Sequence, residues 1–308
     1  MNSSFNLNML KEKKWAVALC ILLITIIWGY AWIPMKASLQ YMGPFTFSAF
    51  RFGTGAVTLL FILLVRRMVV PEKGQWKHFI IVGLLQTSFV FLLVMYGLRF
   101  VDAGKSSMIL YSMPIWSSLL AAIFLNEKLM KVKLFSLGLG MIGLLLILGW
   151  DVWIDQNPHV IFGECLIVLG AVSWGFSNVY YRKYLKDANN LQVTTYQMLF
   201  GSIGIALVAL VAEWGDPLIL TPVSIYYILY TGVLASSVCF TLWFILLTVI
   251  DTATASISIL LVPVFGLLFG WLLLDEKLTL GVMLGSLLII IGIVTAQLSL
   301  KKNDEDTS

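Results

Sequence analysis

The sequence predicts an all-α membrane protein in which ten transmembrane helices form two inverted five-helix repeats. Hydrophobic residues make up 60% of the 308 residues and charged residues only 12%, and the mean hydropathy is +0.94. Soluble domains carry about 25% charged residues, so this composition excludes a soluble globular protein. The segment 101–129 returns 149 positions later as 250–278, and Lys and Arg concentrate on alternate loops. The repeat predicts the architecture, and the charges predict the orientation.

Ten apolar runs have the length that an α-helix needs to cross a bilayer, which is about 20 residues. The connections between them are short and contain or adjoin prolines, which are tolerated there because a missing N–H costs little. No connection is long enough to form a separate soluble domain. The predicted spans are 15–37, 44–66, 76–98, 102–124, 131–150, 161–184, 192–213, 223–247, 252–274 and 279–299.

The distribution of basic residues predicts that both termini are cytoplasmic. With the N-terminus inside, fifteen Lys and Arg residues fall in inside segments and four fall outside, which satisfies the positive-inside rule. The apolar run after residues 1–14 has no small-residue cleavage signal and is too long for a signal peptide, so it is interpreted as a retained first helix. The loop at 155–158 is then external and the polar tail 301–308 is cytoplasmic, in a bacterial plasma-membrane protein.

Matched residues extend the repeat over both halves, predicted as 1–150 and 151–300. Because five spans, an odd number, separate equivalent helices, the two halves must face opposite sides of the membrane. Inverted repeats of this kind build many secondary transporters, with the substrate site near the membrane midplane between the repeats. The matched positions include Asp102 and Asp251, Pro114 and Pro263, Glu127 and Glu276, Gly83 and Gly232, Gly143 and Gly292, Trp28-Gly29 and Trp174-Gly175, Arg51 and Gln197, and Gly55 and Gly201.

Each half ends in a proline-containing span followed by an acidic–basic tetrapeptide, Asn126-Glu127-Lys128-Leu129 or Asp275-Glu276-Lys277-Leu278. Ala103-Gly104-Lys105 and Tyr111-Ser112-Met113-Pro114-Ile115-Trp116 stand in the first of these spans. With these residues, 15–299 resembles the EamA-type family of the drug/metabolite transporter superfamily. The resemblance implies a 5+5 inverted repeat around a central cavity, and alternating-access movement of small metabolites, mostly outward.

Aromatic and polar side chains within the spans are candidates for the wall of a substrate cavity. Trp28 and Trp174 stand beside glycines, and helix packing through a close approach at glycine is the competing interpretation. An unpaired polar group facing lipid is costly, so the polar members should face protein or water. The candidates are Trp28, Trp32, Gln86, Tyr96, Lys105, Tyr111, Trp116, Trp174, Asn178, Ser236 and Trp243.

Pro114 and Pro263 each remove a helical hydrogen bond at equivalent places in spans 4 and 9. Proline is tolerated in membrane helices, so a purely structural kink is one interpretation of both. A kink at both places would also let the outer and inner parts of these spans bend in turn. The prolines are therefore hinge candidates as well.

Charged residues near the span ends have structural interpretations. Asp102 and Asp251 are expected to cap helices, and Glu127 and Glu276 to stay solvated or to contact the N-terminus of the next helix. Arg51, the one cation well inside a span, is expected to snorkel outward or pair with carbonyl oxygens rather than bind substrate. Lys105 is either an exposed loop charge or part of the cavity mouth.

Other classes of protein fit the sequence less well. The two histidines, His78 and His159, lie at a membrane edge and in an outer loop, and no HExxH motif, P-loop or nucleophile–base pair occurs. The three cysteines lie in apolar runs without metal-ligand spacing, so we expect no enzyme, metal or cofactor. A channel usually carries a charged ring or filter sequence. A membrane scaffold or sensor remains the alternative from another class.

The missing carboxylates predict the charge of the substrate. Span 1 has no acidic residue, and Glu164 and Glu213 lie near span ends, so no deep carboxylate is available to hold a cation or a proton. A neutral, zwitterionic or anionic metabolite with an apolar part is expected, and an amino acid fits best; drugs, nucleosides and sugars remain alternatives. The expected partners are this metabolite and the lipid bilayer, not nucleic acid, and a homodimer is left open.

Overall fold

The computed structural model describes residues 14–68, 70–72, 74–125, 131–150, 157–247 and 258–306. Within these residues all regular structure is helical, which confirms the predicted class. Seven helices there are long and apolar enough to cross a membrane, and three shorter apolar helices accompany them. The count of ten spans stays a prediction.

The helices overlap the predicted runs, although α6 begins at Pro158, before the predicted 161, and α10 continues to Asp306, beyond the predicted 299. Several are built from consecutive segments, because a turn or a π-helical stretch interrupts the α-helical hydrogen bonding. In chain order they are α1 (Lys14–Tyr30 and Trp32–Ala37, with a 3-10 turn at Ser38–Gln40), α2 (Pro44–Val65), α3 (Trp76–Val82, the π stretch Gly83–Phe89, and Val90–Gly97), α4 (Ala103–Leu110 and Met113–Phe124), α5 (Lys131–Trp150), α6 (Pro158–Tyr184), α7 (Asn190–Ala212), α8 (Pro222–Leu229, the π stretch Tyr230–Val238, and Cys239–Leu247), α9 (Leu261–Leu274) and α10 (Leu280–Asp306).

Local sequence chemistry explains where several helices begin. Pro44, Pro158 and Pro222 open α2, α6 and α8, the position at which the missing N–H of proline has no helical partner to lose. The Asn157 side chain accepts a hydrogen bond from the His159 N–H at 3.1 Å, which satisfies one of the free N–H groups of the first turn. The predicted starts at 44 and 223 agree with α2 and α8 to within one residue, whereas α6 begins three residues before the predicted 161.

The matched prolines stand where two helices are interrupted. Helix α4 breaks between Leu110 and Met113, just before Pro114, and Leu260 forms a turn just before Pro263 in α9. A proline cannot donate to the carbonyl oxygen four residues earlier, and its ring clashes with that carbonyl. The kinks are thus present at both places, and the hinge role of Pro114 and Pro263 stays a prediction.

Matched residues make matched hydrogen bonds between the two halves. The Ser88 hydroxyl in α3 donates to the Gly201 carbonyl in α7 at 2.8 Å. The Ser237 hydroxyl in α8 donates to the Gly55 carbonyl in α2 at 3.0 Å. Ser237 lies 149 positions after Ser88, and Gly201 lies 146 positions after Gly55. Exchanging the halves therefore turns one contact into the other.

Glycine crossings repeat the same exchange. A Cβ added at Gly29 in α1 would overlap the Cβ of Phe265 in α9, and one added at Gly175 in α6 would lie 3.1 Å from the Cβ of Trp116 in α4. Phe265 lies 149 positions after Trp116. The first helix of each half thus crosses the fourth helix of the other half at a glycine, as close packing of membrane helices requires. The two halves are interlocked rather than side by side.

Candidate functional site

A cavity of about 340 Å³ lies between the two halves. Its wall comes from helices α1, α2, α3, α4, α6, α7 and α8 and from Ile259 before α9. Seven of the predicted cavity residues lie on this wall: Trp28, Trp32, Gln86, Tyr111, Trp174, Asn178 and Trp243. Their part in substrate binding stays a prediction.

Two predicted cavity residues lie elsewhere because their rings pack against other helices. The ring of Tyr96 stacks on that of Phe45 with centroids 5.9 Å apart. Trp116 packs against the glycine crossing at Gly175, and its indole N–H donates to the Ser112 hydroxyl at 3.2 Å. Neither ring faces the cavity, so for Trp116 the packing interpretation describes the structure.

Ser236 and Lys105 are also outside this cavity. The Ser236 hydroxyl donates to the Thr231 carbonyl at 2.8 Å, within the π stretch of α8. Lys105 forms an ion pair with Glu164 of α6, and the two side chains are 10% and 1% exposed. The expectation of an exposed loop charge at Lys105 is therefore wrong. Glu164 is a deeply buried carboxylate that the sequence placed near a span end, but it is paired and does not line the cavity.

The wall includes residues that sequence reasoning passed over or assigned elsewhere. The signal that could have found two of them is the repeat, because Arg51 and Gln197 occupy matched positions and both face the cavity. The additional wall residues are Ala31, Met35, Arg51, Phe52, Thr87, Phe91, Leu110, Met113, Tyr181, Asn190, Val193, Thr194, Gln197, Met198, Phe240 and Ile259.

Arg51 does not snorkel outward as expected. Its side chain lies on the cavity wall, where the residue is only 9% exposed. One terminal N–H group donates to the Met35 sulfur at 2.9 Å. The guanidinium carbon lies 4.8 Å from the ring centres of both Phe52 and Phe91, which is within cation–π range. Among the described residues, two aromatic faces and the Met35 sulfur, not carbonyl oxygens, hold this cation.

Several polar wall groups already have protein partners. The Trp28 indole N–H donates to the Ala235 carbonyl at 2.7 Å, so its ring is held in place by a helix of the other half. The Asn178 amide donates to the Ser117 hydroxyl at 3.1 Å. The Gln86 amide oxygen accepts from the Ser177 hydroxyl at 3.0 Å. These bonds position the side chains before any solute arrives, which lowers the ordering cost of binding.

The cavity extends to one end of the protein. Tyr181 near the end of α6 and the exposed Asn190 at the start of α7 both line it. Under the predicted orientation this is the cytoplasmic end. The opposite end, where α1, α3, α7 and α9 finish, is held together by a set of polar contacts between chain segments. The cavity is therefore accessible from one end and closed at the other.

Glu276 caps a helix of the other half at the closed end. Its carboxylate accepts hydrogen bonds from the Ala103 N–H at 2.5 Å and the Gly104 N–H at 2.8 Å, in the first turn of α4. Asp102 holds the N-cap backbone position but makes no side-chain capping bond. The expected cap is thus supplied by Glu276 instead of Asp102. Glu127 and Asp251, which occupy the positions matched to Glu276 and Asp102, lie outside the described residues.

A second carboxylate makes the same kind of contact. Glu213, after α7, accepts from the Phe45 N–H and the Thr46 N–H, each at 2.8 Å, and from the Thr46 hydroxyl at 2.6 Å. These groups open α2 in the other half. A carboxylate is stabilised at a helix N-terminus by the free N–H groups and the helix dipole. Two carboxylates of the second half therefore close onto two helix starts of the first.

Lys36 completes the closed end. Its ammonium group donates to the Leu98 carbonyl at 2.5 Å and to the Val101 carbonyl at 2.7 Å. These carbonyl oxygens lie at and just beyond the end of α3, where the helix leaves them without a partner. A cation is favoured at this negative end of the helix dipole. The contact ties the end of α1 to the loop that leads into α4.

Opposing effects act on the Glu276 carboxylate. Burial raises the pKa of Glu276 because it disfavours the charged form, and nearby Asp102 acts in the same direction. The N–H groups of Gly104 and Ala103 and the Lys36 ammonium lower this pKa. The ionised form therefore depends on these partners when the end is closed, and opening would release it to water.

Three comparisons place this architecture among known proteins. A family model described as "EamA-like transporter family" matches residues 15–149 and 161–296. An uncharacterized transporter of Bacillus subtilis strain 168, YoaV, is 34% identical over 279 residues, which are 90% of this chain and 95% of the relative. A protein of Escherichia coli strain K12 named as a probable amino-acid metabolite efflux pump is 26% identical over 281 residues, covering 88% and 91%. A solved crystal structure matches with a TM-score of 0.64 at 18% identity over 94% of this chain and 99% of the other, which shows a shared fold.

Proposed function

The chain belongs to the EamA-like transporter family, and from this premise we propose that it exports amino acids or similar small metabolites by alternating access. The observation that carries the proposal is the cavity between the halves, which reaches one end of the protein while carboxylate caps close the other. Alternating access needs such a site between two repeats. A membrane scaffold would have no use for it.

The substrate class is argued from the wall. The volume of about 340 Å³ is within the range of small-molecule sites, roughly 300 to 1,000 Å³. Tryptophan and phenylalanine rings offer apolar surface, and the amides of Gln86, Asn178 and Gln197 offer hydrogen bonds. No acidic residue is among the described residues of the wall, which disfavours cationic drugs. The efflux-pump name of the relative at 26% identity points to the same class.

We propose a bacterial plasma-membrane location with both termini cytoplasmic. A single cysteine at Asn157, in a chain whose Cys20, Cys165 and Cys239 are replaced, should react with a membrane-impermeant thiol reagent added to intact cells. Asn157 precedes α6 and is exposed, so access within the protein is not limiting. The orientation is wrong if labelling appears only after the cells are permeabilised.

Transport by the purified protein tests the function itself. Liposomes that contain it should exchange a labelled amino acid across the membrane and should not accumulate a quaternary ammonium dye. Trp174→Ala removes a ring from the cavity wall, and we expect exchange to fall by up to about tenfold, because a lost aromatic contact costs about 0.5 to 1.5 kcal/mol. Trp271→Ala is the matched control, since this ring is 51% exposed on α9 and does not line the cavity.

Three results would contradict the proposal. Dye transport without amino-acid flux would identify a drug exporter. Absence of any flux from a folded, correctly inserted protein would favour a scaffold or sensor. An equal loss in Trp174→Ala and Trp271→Ala would remove the cavity from the transport path.

A further inference from the structure

Arg51 is the one charged residue among the described residues that line the cavity. It is 9% exposed, and no carboxylate of the described residues pairs with it. An isolated buried charge is expensive unless a partner compensates it. The cavity therefore contains a cation whose compensation is incomplete in the protein alone.

The contacts of Arg51 leave hydrogen-bonding capacity unused. Its Nε atom is buried and has no hydrogen-bond partner, and one terminal N–H group is spent on the Met35 sulfur, a weak acceptor. Phe52 and Phe91 lie at 4.8 Å from the guanidinium carbon. Ring faces attract the cation without using its N–H groups. The contacts of Arg51 with the described residues thus hold the guanidinium in position and use only one of its N–H groups.

The repeat shows that the fold does not require a cation at this place. Gln197 occupies the matched position in α7, is 6% exposed and lines the same cavity. The surroundings of the two backbones match as well: an added Cβ at Gly232 would lie 2.6 Å from the Arg51 carbonyl oxygen, and one at Gly83 would lie 2.9 Å from that of Gln197. A neutral amide satisfies the same packing. The charge of Arg51 therefore needs a reason other than packing.

We infer that Arg51 binds the carboxylate group of the transported solute. This rests on the proposed function, and it narrows the solute to metabolites with one carboxylate. A guanidinium presents its N–H groups in a planar fork that matches a carboxylate. Arg51 lies seven residues into α2 from Pro44, roughly 10 Å along the helix axis from the closed end. Gln197 lies as far into α7 from the open end, so each group stands about a third of the way along its helix.

The charge balance distinguishes solutes that differ in one group. A single cation on the wall compensates one negative charge, which a monocarboxylate supplies. An amine without a carboxylate would add a second cation beside Arg51 with no acidic residue of the wall to offset it. The ammonium group of an amino acid is different, because its own carboxylate neutralises Arg51, and the rings of Trp28 and Trp174 offer it cation–π contact. An amino acid and its oxo acid should therefore both bind, whereas its amide should not.

Three matched solutes test the inference: leucine, leucinamide and 4-methyl-2-oxopentanoate. Their binding is measured by thermal stabilisation of the protein in detergent, and their movement by exchange in liposomes. The wild-type protein should bind and exchange leucine and the oxo acid, and should discriminate against leucinamide by about tenfold or more, because hydrogen bonds to charged groups contribute this much. Arg51→Gln should weaken both carboxylates by a similar factor and should strengthen leucinamide, because its ammonium group then no longer lies beside a second cation.

Arg51→Gln copies the residue that the matched position already accommodates, so it is expected to fold, and its melting temperature without solute checks this.

Two further variants make the result specific. Arg51→Lys keeps the charge but loses the planar fork, and should give an intermediate loss for the carboxylates. Arg99→Gln removes a cation that is exposed and lies over the Tyr96 ring outside the cavity, and should leave the preference as in the wild type.

The failure of this inference can be told apart from the failure of the proposed function. If the wild-type protein exchanges leucinamide as well as leucine, the transporter remains and the carboxylate role of Arg51 is overturned. An equal loss of all three solutes in Arg51→Gln and Arg51→Lys also overturns it, since a structural role would act on every solute. If the folded wild-type protein neither binds nor moves any of the three, the proposed function falls, and the inference falls with it.

Discussion

Replacement of Glu276 by alanine is expected to increase the opening of the closed end by about tenfold or more. The substitution removes both oxygens that accept the N–H groups of Ala103 and Gly104. Hydrogen bonds to a charged acceptor contribute about 1.5 to 3 kcal/mol each, and about 1.4 kcal/mol corresponds to a tenfold change in an equilibrium. Without the carboxylate, the closed state loses the acceptors of both N–H groups, whereas opening would expose these groups to water.

Ser106 offers a reporter position for this opening. Its hydroxyl is fully buried in the first half of α4 and has no hydrogen-bond partner, so Ser106→Cys costs no polar contact. In a background without Cys20, Cys165 and Cys239, an impermeant thiol reagent outside sealed vesicles should label this cysteine slowly. Glu276→Ala should accelerate the labelling, and Glu276→Gln should do so to a smaller extent, because the amide keeps one acceptor oxygen.

Lys277→Ala is the control for this experiment, because Lys277 is the exposed neighbour of Glu276 and lies in the same loop. It should leave the labelling rate at the wild-type value. The role of Glu276 in holding this end closed would be refuted by a folded Glu276→Ala protein that labels no faster than Lys277→Ala.

Gly29→Ala is expected to destabilise the protein by about 1 to 3 kcal/mol, the usual cost of overpacking a tight interior. The new Cβ would overlap the Cβ of Phe265 and lie 3.0 Å from the Val262 carbonyl oxygen. Neither atom is the far end of a flexible side chain, so the backbones of α1 and α9 must separate. The measurement is the apparent melting temperature in detergent.

Gly53→Ala is the matched control, since an added Cβ at Gly53 in α2 meets no atom within 4 Å. Alanine is a better helix former than glycine by about 0.5 to 1 kcal/mol, so this variant should be as stable as the wild type or slightly more stable. Equal melting temperatures of Gly29→Ala and Gly53→Ala would show that the α1–α9 crossing tolerates a wider spacing than the structure has.

The sequence predicted a cavity between the halves, but it identified only some of the residues that line it. Trp28 and Trp174 were candidates because they stand beside glycines at matched depths, and in the structure Gly29 and Gly175 make the crossings while both indole rings line the cavity. Helix packing thus takes place at the glycines, whereas the tryptophans beside them line the cavity. Trp116 could not be excluded beforehand, because a helix that is apolar all round does not reveal which face meets another helix.

The contacts of the charged residues could not be predicted from the neighbouring sequence alone. Asp102 satisfies the sequence rule for a helix cap, yet Glu276, 174 positions later, supplies the capping oxygens. Lys105 was interpreted as either an exposed loop charge or part of the cavity mouth, and instead it pairs with Glu164 in the other half. In each case the partner is distant in the chain, and a single sequence does not show which distant residues lie close together in space.

The sequence by itself determined the membrane class, the approximate helix boundaries, the kinks at Pro114 and Pro263 and the matched halves. These features follow from hydrophobicity, proline geometry and internal repetition, which act over about 20 residues or are visible as self-similarity. Only the tertiary structure decided which faces of the helices enclose the cavity, which end is closed and which charges are paired. Those properties depend on how helices cross, because a crossing at Gly29 or Gly175 sets the rotation of a helix and thereby every side chain that it presents to the cavity.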